Sequence, residues 1–187
     1  LDRELDDILK DIDDDVHLIL NADDPLLDRL RYLGKEKITT FGIAKTKYDI
    51  KKPSYAVDFA YCPSCQMKLK YDSYHYGHLG IFKCPRCSFS RGQVDYEATD
   101  VDLEKGTFKI VDDEIKLNKN VFFAVYYTLL AYTMSKIIGL DDKIILKGLN
   151  EEQLESKRLK AYSLNGRNIE MLESKNENAL SYIQSIN

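Results

Sequence analysis

The sequence lacks tryptophan altogether and has only four prolines and four cysteines among its 187 residues. It also lacks a long apolar run, since the most apolar stretch, residues 121–134, is too short to cross a membrane and is followed by Lys136. No signal peptide is recognisable. We therefore expect a cytoplasmic protein with reduced thiols, which argues against a disulfide framework. Because Leu1 already lies in a helical pattern, we expect the sequence to be a fragment of a longer protein.

A strong excess of one charge is also missing. The net charge of −4 gives no overall electrostatic reason to bind nucleic acid or an anionic membrane. Hydrophobic residues make up 44% of the chain, which is enough for a packed core and argues against disorder. The length suits one domain, or one domain with a small additional module.

The hydrophobic pattern indicates an α/β fold. A short apolar strand at residues 16–20 is followed by a turn at residues 21–25. In this turn Asp24 is a good N-cap and Pro25 a good first helical residue. With a second strand at residues 37–43, this predicts a strand–helix–strand unit, and we expect His17 to be a core residue of the first strand. Further strands are predicted at 94–98, 107–111 and 114–117, with a turn at 104–106, and helices at 1–12, 121–138, 143–149, 152–159 and 179–186. The helix at 121–138 is apolar nearly all round, so we expect it to be buried between layers.

All four cysteines fall into two pairs. Cys62 and Cys65 form a C-x2-C motif, and after eighteen residues Cys84 and Cys87 form another. This spacing is typical of four thiolates around one structural Zn²⁺ ion. Iron in the same site is the minor alternative, and a redox dithiol is weaker because four thiolates leave no open position. The aromatic residues that we expect to cover the site are Tyr61, Tyr71, Tyr74, Tyr76, Phe82 and Phe89.

The segment between the cysteine pairs also carries histidines and basic residues. His75 and His78 would have to displace a cysteine to bind the metal, so we expect them on the surface of a hairpin. From residue 62 to residue 91 the local charge is +4, from Lys68, Lys70, Lys83, Arg86 and Arg91 against Asp72. Basic residues among aromatic ones could bind single-stranded nucleic acid. We favour the alternative, in which the aromatic side chains face the interior of the module, and we do not expect a nucleic-acid partner.

The turn Leu20-Asn21-Ala22-Asp23-Asp24-Pro25 closes the first strand and opens a helix. Ligands of open α/β sheets bind outside the carboxyl ends of the strands. Asn21 could therefore offer its amide to the edge of a nucleobase, whereas Asp23 and Asp24 could simply cap the helix.

Several motifs occur in a specific order: LNADDP, an FGI strand, CPSC, YHYGHLGIF, CPRC and an aromatic-rich helix. Over residues 14–150 this order resembles the central domain of the MurT branch of the Mur ligase family, which a zinc-ribbon insertion sets apart. The resemblance implies a partial Mur ligase central domain, a P-loop-type layered α/β sheet, with an inserted four-cysteine zinc ribbon. The expected parts are the first half of the central domain (1–57), the ribbon (58–92), the second half (93–150) and a junction to a further domain (151–187).

The resemblance also implies a function. MurT subunits pair with GatD, a glutaminase that releases ammonia from glutamine. They use ATP and Mg²⁺ to phosphorylate the α-carboxylate of D-glutamate in lipid II, and ammonia then displaces the phosphate to give D-isoglutamine. In this family the asparagine that matches Asn21 contacts the adenine, and the four cysteines hold a structural zinc ion.

Some family motifs are absent. No G-x-x-x-x-G-K-S/T phosphate loop occurs in the sequence, and Phe123-Ala124 and Tyr126-Tyr127 replace the two Tyr-Asn pairs of the family. We expect the catalytic aspartate to lie in a domain outside these residues, so the isolated chain should be inactive. The alternatives are a zinc-ribbon module that binds nucleic acid and a non-catalytic scaffold for a glutaminase.

Overall fold

The computed structural model describes residues 7, 9, 13, 15–33, 37–53, 59–151, 159–164 and 166–172. The chain divides into a larger unit, residues 1–151, and a smaller unit, residues 152–187. The strands described in the larger unit are β1 (Leu18–Asn21), β2 (Ile38–Ile43), β3 (Lys70–Tyr76), β4 (Leu79–Lys83), β5 (Tyr96–Asp102), β6 (Thr107–Ile110) and β7 (Asp113–Lys116). Its helices are α1 (Pro25–Asp28), which continues as a 3-10 helix (Arg29–Leu33), α2 (Phe122–Ile137) and α3 (Asp142–Glu151).

Five strands form one mixed sheet in the order β1-β2-β5-β6-β7. β1, β2 and β5 are parallel, and β6 and β7 add antiparallel hairpins at one side. The predicted strand–helix–strand unit is confirmed, because α1 connects β1 to the parallel β2. The carboxylate of Asp24 accepts a hydrogen bond from the amide of Leu26 at 2.8 Å, so Asp24 is the N-cap and Pro25 the first helical residue.

The core lies between this sheet and α2. The largest fully buried apolar side chains are Phe108, Ile43, Ile110, Ile115, Leu129 and Val125. The prediction that the helix at 121–138 is buried between layers is wrong, since Tyr127, Met134 and Ile138 are 67%, 50% and 72% exposed. Within the described residues the sheet covers only one face of α2. None of the described helices is long and apolar enough to span a bilayer.

The cysteine-rich segment leaves the sheet after β2 and returns to it at β5. Its centre is the antiparallel hairpin of β3 and β4. Gly80 in β4 lies so close to β3 that a Cβ atom there would come within 2.2 Å of the carbonyl oxygen of Ser73. Only glycine fits at this position, and we call residues 59–92, with both cysteine pairs, the ribbon.

The smaller unit contains an antiparallel hairpin of β8 (Leu159–Leu164) and β9 (Arg167–Leu172). The sequence analysis missed this hairpin, and the helix predicted for 152–159 is wrong at Leu159, which begins β8. Residues 152–158 and the predicted helix at 179–186 lie outside the described residues, as does most of the helix predicted at 1–12.

Candidate functional site

The four cysteine sulfur atoms lie together. All four are within 4.8 Å of one another. The Sγ atoms of Cys62 and Cys87 are 3.6 Å apart, and those of Cys65 and Cys84 are 3.4 Å apart. A tetrahedron with Zn–S bonds of about 2.3 Å has edges of about 3.8 Å. None of the four forms a disulfide, so the cluster could hold one tetrahedral metal ion and is compatible with a zinc ribbon.

Tight turns bring each cysteine pair to the cluster. The amide of Gln66, a residue with φ of +59°, donates to the carbonyl of Cys62 at 2.9 Å. In the second pair, the amides of Arg86 and Cys87 each donate to the sulfur of Cys84 at 3.4 Å. Burial opposes ionisation of Cys84, but these donors, together with the neighbouring thiols of Cys65 and Cys87, lower its pKa to about 6. The turn thus favours the thiolate that a metal requires.

Part of the predicted aromatic cover is confirmed. Phe82 and Phe89 are buried against Cys62 and Cys84, with ring centroids 5.4 Å apart, and Tyr71 packs on the edge of this cluster. Tyr61 is 59% exposed and does not cover the site, contrary to the prediction. The buried cluster around the cysteines of the ribbon is thus formed mainly by phenylalanine rather than tyrosine side chains.

Two predictions for histidines are wrong. His75 is not a surface residue but is buried, and its Nδ1 lies 2.7 Å from a carboxylate oxygen of Asp49 in the loop after β2. Burial raises the pKa of Asp49, but the hydrogen bonds from His75 and Thr46 outweigh it and hold that pKa below its usual value. His17 is exposed, not part of the core, because it precedes β1; it contacts the hydroxyl of Thr39 at 2.8 Å.

His78 is half-buried rather than exposed. Its Nε2 lies 3.4 Å from Asp24, and its ring packs against Phe59. The tip of the ribbon hairpin therefore reaches the turn that contains Asn21.

Four of the five basic residues of the ribbon, Lys68, Lys70, Lys83 and Arg86, are exposed, and only Arg91 is largely covered. The side chain of Arg91 is 12% exposed and points to Asp23, and the ammonium group of Lys83 lies 3.3 Å from Asp72. The local charge of +4 already counts Asp72, so among the described residues only Asp23 and Glu97, the acidic neighbours of Arg91, reduce it further.

Asn21 is the last residue of β1 and lies beside Phe41 of β2, at the carboxyl end of the parallel strands. Its side-chain oxygen accepts from the amide of Asp23 at 3.0 Å, and its carbonyl accepts from the amide of Asp24 at 3.3 Å. The side chain is half-buried. Asn21 thus occupies an ordered turn at the edge where ligands of open α/β sheets bind.

Asp23 is the residue that the sequence analysis underestimated. It does not cap the helix, which Asp24 does alone; its side chain is fully buried. One carboxylate oxygen accepts from the amide of Ile43 at 2.8 Å and from the hydroxyl of Tyr126 at 2.9 Å, and the other accepts from Nε of Arg91 at 2.6 Å. Burial raises the pKa of Asp23, and the guanidinium of Arg91 opposes that rise. No local pattern reveals this pair, because 68 residues separate its members.

Comparison with known proteins gives a consistent result. The chain is 30% identical over 149 residues to the lipid II isoglutaminyl synthase (glutamine-hydrolyzing) subunit MurT of Staphylococcus aureus strain COL, covering 79% of this chain and 33% of that protein. It is 24% identical over 162 residues to the MurT subunit of Streptococcus pneumoniae strain R6, covering 85% of this chain and 36% of that protein. The chain thus spans about a third of the length of these curated relatives. No family model matches.

A solved structure supports the same relationship. The pseudomurein peptide ligase type C from Methanothermus fervidus matches with a TM-score of 0.63 and 29% identity, over 78% of this chain and 29% of that chain. The predicted α/β class is confirmed by the sheet described above, and the clustered cysteines agree with the ribbon that the motif order indicated. The chain is a MurT-like relative with a Mur-ligase-like α/β fold.

Proposed function

We propose that this chain is part of an ATP-dependent amidoligase of peptidoglycan synthesis. The complete protein works with a GatD-type glutamine amidotransferase and converts D-glutamate of the lipid II stem peptide to D-isoglutamine. The similarity to MurT subunits and to a peptide ligase supports this proposal. The observation that carries it is the ordered Asn21–Asp24 turn at the carboxyl end of β1, beside the parallel β2.

Asn21 is the proposed contact to the adenine of ATP. Because its side-chain oxygen already accepts from Asp23, its NH2 group is the end that can donate to a ring nitrogen. We assign no catalytic residue to this chain, and we propose that ATP phosphates and Mg²⁺ are bound by residues outside it. ATP supplies the phosphoryl group that makes the carboxylate of D-glutamate reactive towards ammonia.

The four cysteines are the proposed ligands of a structural Zn²⁺ ion. Their sulfur atoms fit one tetrahedral ion, and four protein ligands leave no position for water or substrate. The ion would therefore contribute folding free energy to the ribbon rather than take part in the ligation.

The test is an amidation assay with the complete protein, the glutaminase, glutamine, ATP and lipid II. We expect Asn21→Ala to raise KM for ATP about three- to tenfold, the effect of one lost hydrogen bond. Asn118→Ala, which changes an exposed asparagine, is the matched control. The isolated 187-residue chain should neither hydrolyse ATP nor amidate lipid II.

Three outcomes would contradict the proposal. An unchanged KM for ATP in Asn21→Ala would remove the role of this residue. Co-purification with the glutaminase but no turnover by the complete protein would favour the non-catalytic scaffold. Salt-dependent binding of single-stranded nucleic acid would favour the ribbon as a nucleic-acid module.

A further inference from the structure

The ribbon contacts the Asn21–Asp24 turn directly. The amide of Gly80 in β4 donates to the carbonyl oxygen of Asp23 at 2.9 Å. Nε of Arg91 donates to the carboxylate of the same residue at 2.6 Å. His78, at the hairpin tip, lies 3.4 Å from the carboxylate of Asp24. Three points of the ribbon thus hold two consecutive residues of the turn.

Arg91 links this turn to the cysteine cluster. Its amide donates to the carbonyl of Phe82 at 2.9 Å, and Phe82 is one of the side chains packed around Cys62 and Cys84. Phe82 therefore connects the side chains packed around the sulfur atoms to the backbone of Arg91, whose guanidinium faces Asp23. A ribbon without its metal would lose the packing that fixes Arg91.

The two residues that follow Arg91 also pack against α1 and its 3-10 continuation. Nη2 of Arg31 pairs with the carboxylate of Asp28, and Nη1 of the same arginine donates to the carbonyl of Gln93 at 3.2 Å. A Cβ atom on Gly92 would lie 1.9 Å from Nη1 of Arg31. The end of the ribbon therefore has little freedom to move independently of the turn and helix that follow β1.

The carboxylate of Asp23 needs Arg91. It is fully buried, and its other partners, the amide of Ile43 and the hydroxyl of Tyr126, carry no charge that could balance it. Removing one member of a buried ion pair leaves an uncompensated charge, which is far more unfavourable than losing a surface contact. Without Arg91, either Asp23 would take up a proton and lose its charged contacts, or the turn would shift until water reached the carboxylate.

We propose that the ribbon is a clamp on the Asn21–Asp24 turn, and that Arg91 is the positioning residue that transmits the order of the metal-bearing ribbon to this turn. The inference rests on the proposed function in one respect, namely that Asn21 meets a nucleotide. The clamp itself concerns only contacts within the chain.

The test is hydrogen exchange of the complete protein, resolved at the amides of Ala22, Asp23 and Asp24. With Arg91→Met we expect exchange at these amides to accelerate about tenfold or more, because local opening becomes easier, while zinc content stays unchanged. Lys70→Met, which removes an exposed cation of the same ribbon outside both cysteine turns, should leave both quantities unchanged. Removing the metal from the unmodified protein with a chelator should accelerate exchange at the same amides.

Unchanged exchange in metal-loaded Arg91→Met, or in the chelated protein, would overturn the clamp. If Arg91→Met does not fold, Arg91→Lys keeps the charge but cannot reproduce the contacts of both Nε and Nη2 with Asp23, Ile43 and Glu97. It should accelerate exchange at these amides relative to the unmodified protein, and no acceleration would again overturn the proposal.

KM for ATP separates this inference from the proposed function. If the turn binds nucleotide, Arg91→Met should raise KM for ATP more than it lowers kcat, because it displaces Asn21. Accelerated exchange with an unchanged KM would support the clamp and count against the nucleotide role of Asn21.

Discussion

Two carboxylates in the segment after β1 have no exposed surface, and each pairs with an arginine. Asp23 meets Arg91 of the ribbon, whereas Asp28 forms an ion pair with Arg31, which also donates to the carbonyl of Gln93. Burial raises the pKa of Asp28 to about 6, and Arg31 offsets only part of that rise. A group with a raised pKa holds its proton more firmly in the folded state than in the unfolded one.

This raised pKa predicts a dependence of stability on pH. Between pH 3.8 and about 6, the folded chain binds more protons at Asp28 than the unfolded chain does, so the contribution of Asp28 to stability falls as pH rises through this window. Asp28→Asn should therefore remove this contribution, so that between about pH 4 and 7 the free energy of unfolding, measured in urea, falls less or rises more with pH than in the unmodified protein. Asp100→Asn, which changes an exposed carboxylate, should keep the original slope. Equal slopes in Asp28→Asn and the unmodified protein would contradict the assignment.

At the scale of single residues, the sequence revealed groups whose role is local. The C-x2-C spacing identified all four clustered cysteines, and Asp24-Pro25 identified the start of α1. The partners of Asp23 and His75 could not be predicted, because they lie 68 and 26 residues away along the chain. Histidines in a polar hairpin look exposed until the surface that covers them is known.

At the scale of elements, α2 has one buried face and one exposed face. Leu129 is fully buried against the sheet, whereas Met134 on the same helix is 50% exposed. Leu129→Ala should reduce the free energy of unfolding by about 2–5 kcal/mol, because it leaves a cavity. Met134→Ala, the matched control, should cost less than about 1 kcal/mol. Similar losses in the two variants, measured by urea unfolding, would show that the exposed face of α2 is covered after all.

The elements were predicted correctly where the spacing of apolar residues and the capping residues indicate the same boundaries, as in β1, α1 and β2. The hairpin of β8 and β9 was missed even though Asn165-Gly166 is a dipeptide typical of tight hairpins. The sequences of its two six-residue strands, LKAYSL and RNIEML, do not alternate regularly between apolar and polar residues, so the strand pattern is weak. The apolar composition of α2 likewise predicted that a helix is present and how long it is, but it did not predict which face packs against the sheet.

At the scale of the whole molecule, the order of motifs predicted the relationship to MurT, but not how the ribbon sits on the sheet. That arrangement depends on contacts such as Arg91 to Asp23 and His75 to Asp49, which no local pattern encodes. The domain bounds 1–57, 58–92, 93–150 and 151–187 stay predictions.

Our interpretation is that one metal ion organises the ribbon. X-ray absorption combined with elemental analysis of the purified protein tests this interpretation most directly. We predict one zinc ion per chain with four sulfur neighbours at about 2.3 Å, and loss of that ion together with local unfolding of the ribbon in Cys84→Ser. Ser88→Ala, a change at an exposed position in the same segment, should retain the ion. A protein without bound metal, or zinc with nitrogen or oxygen in place of the sulfur neighbours, would contradict the account.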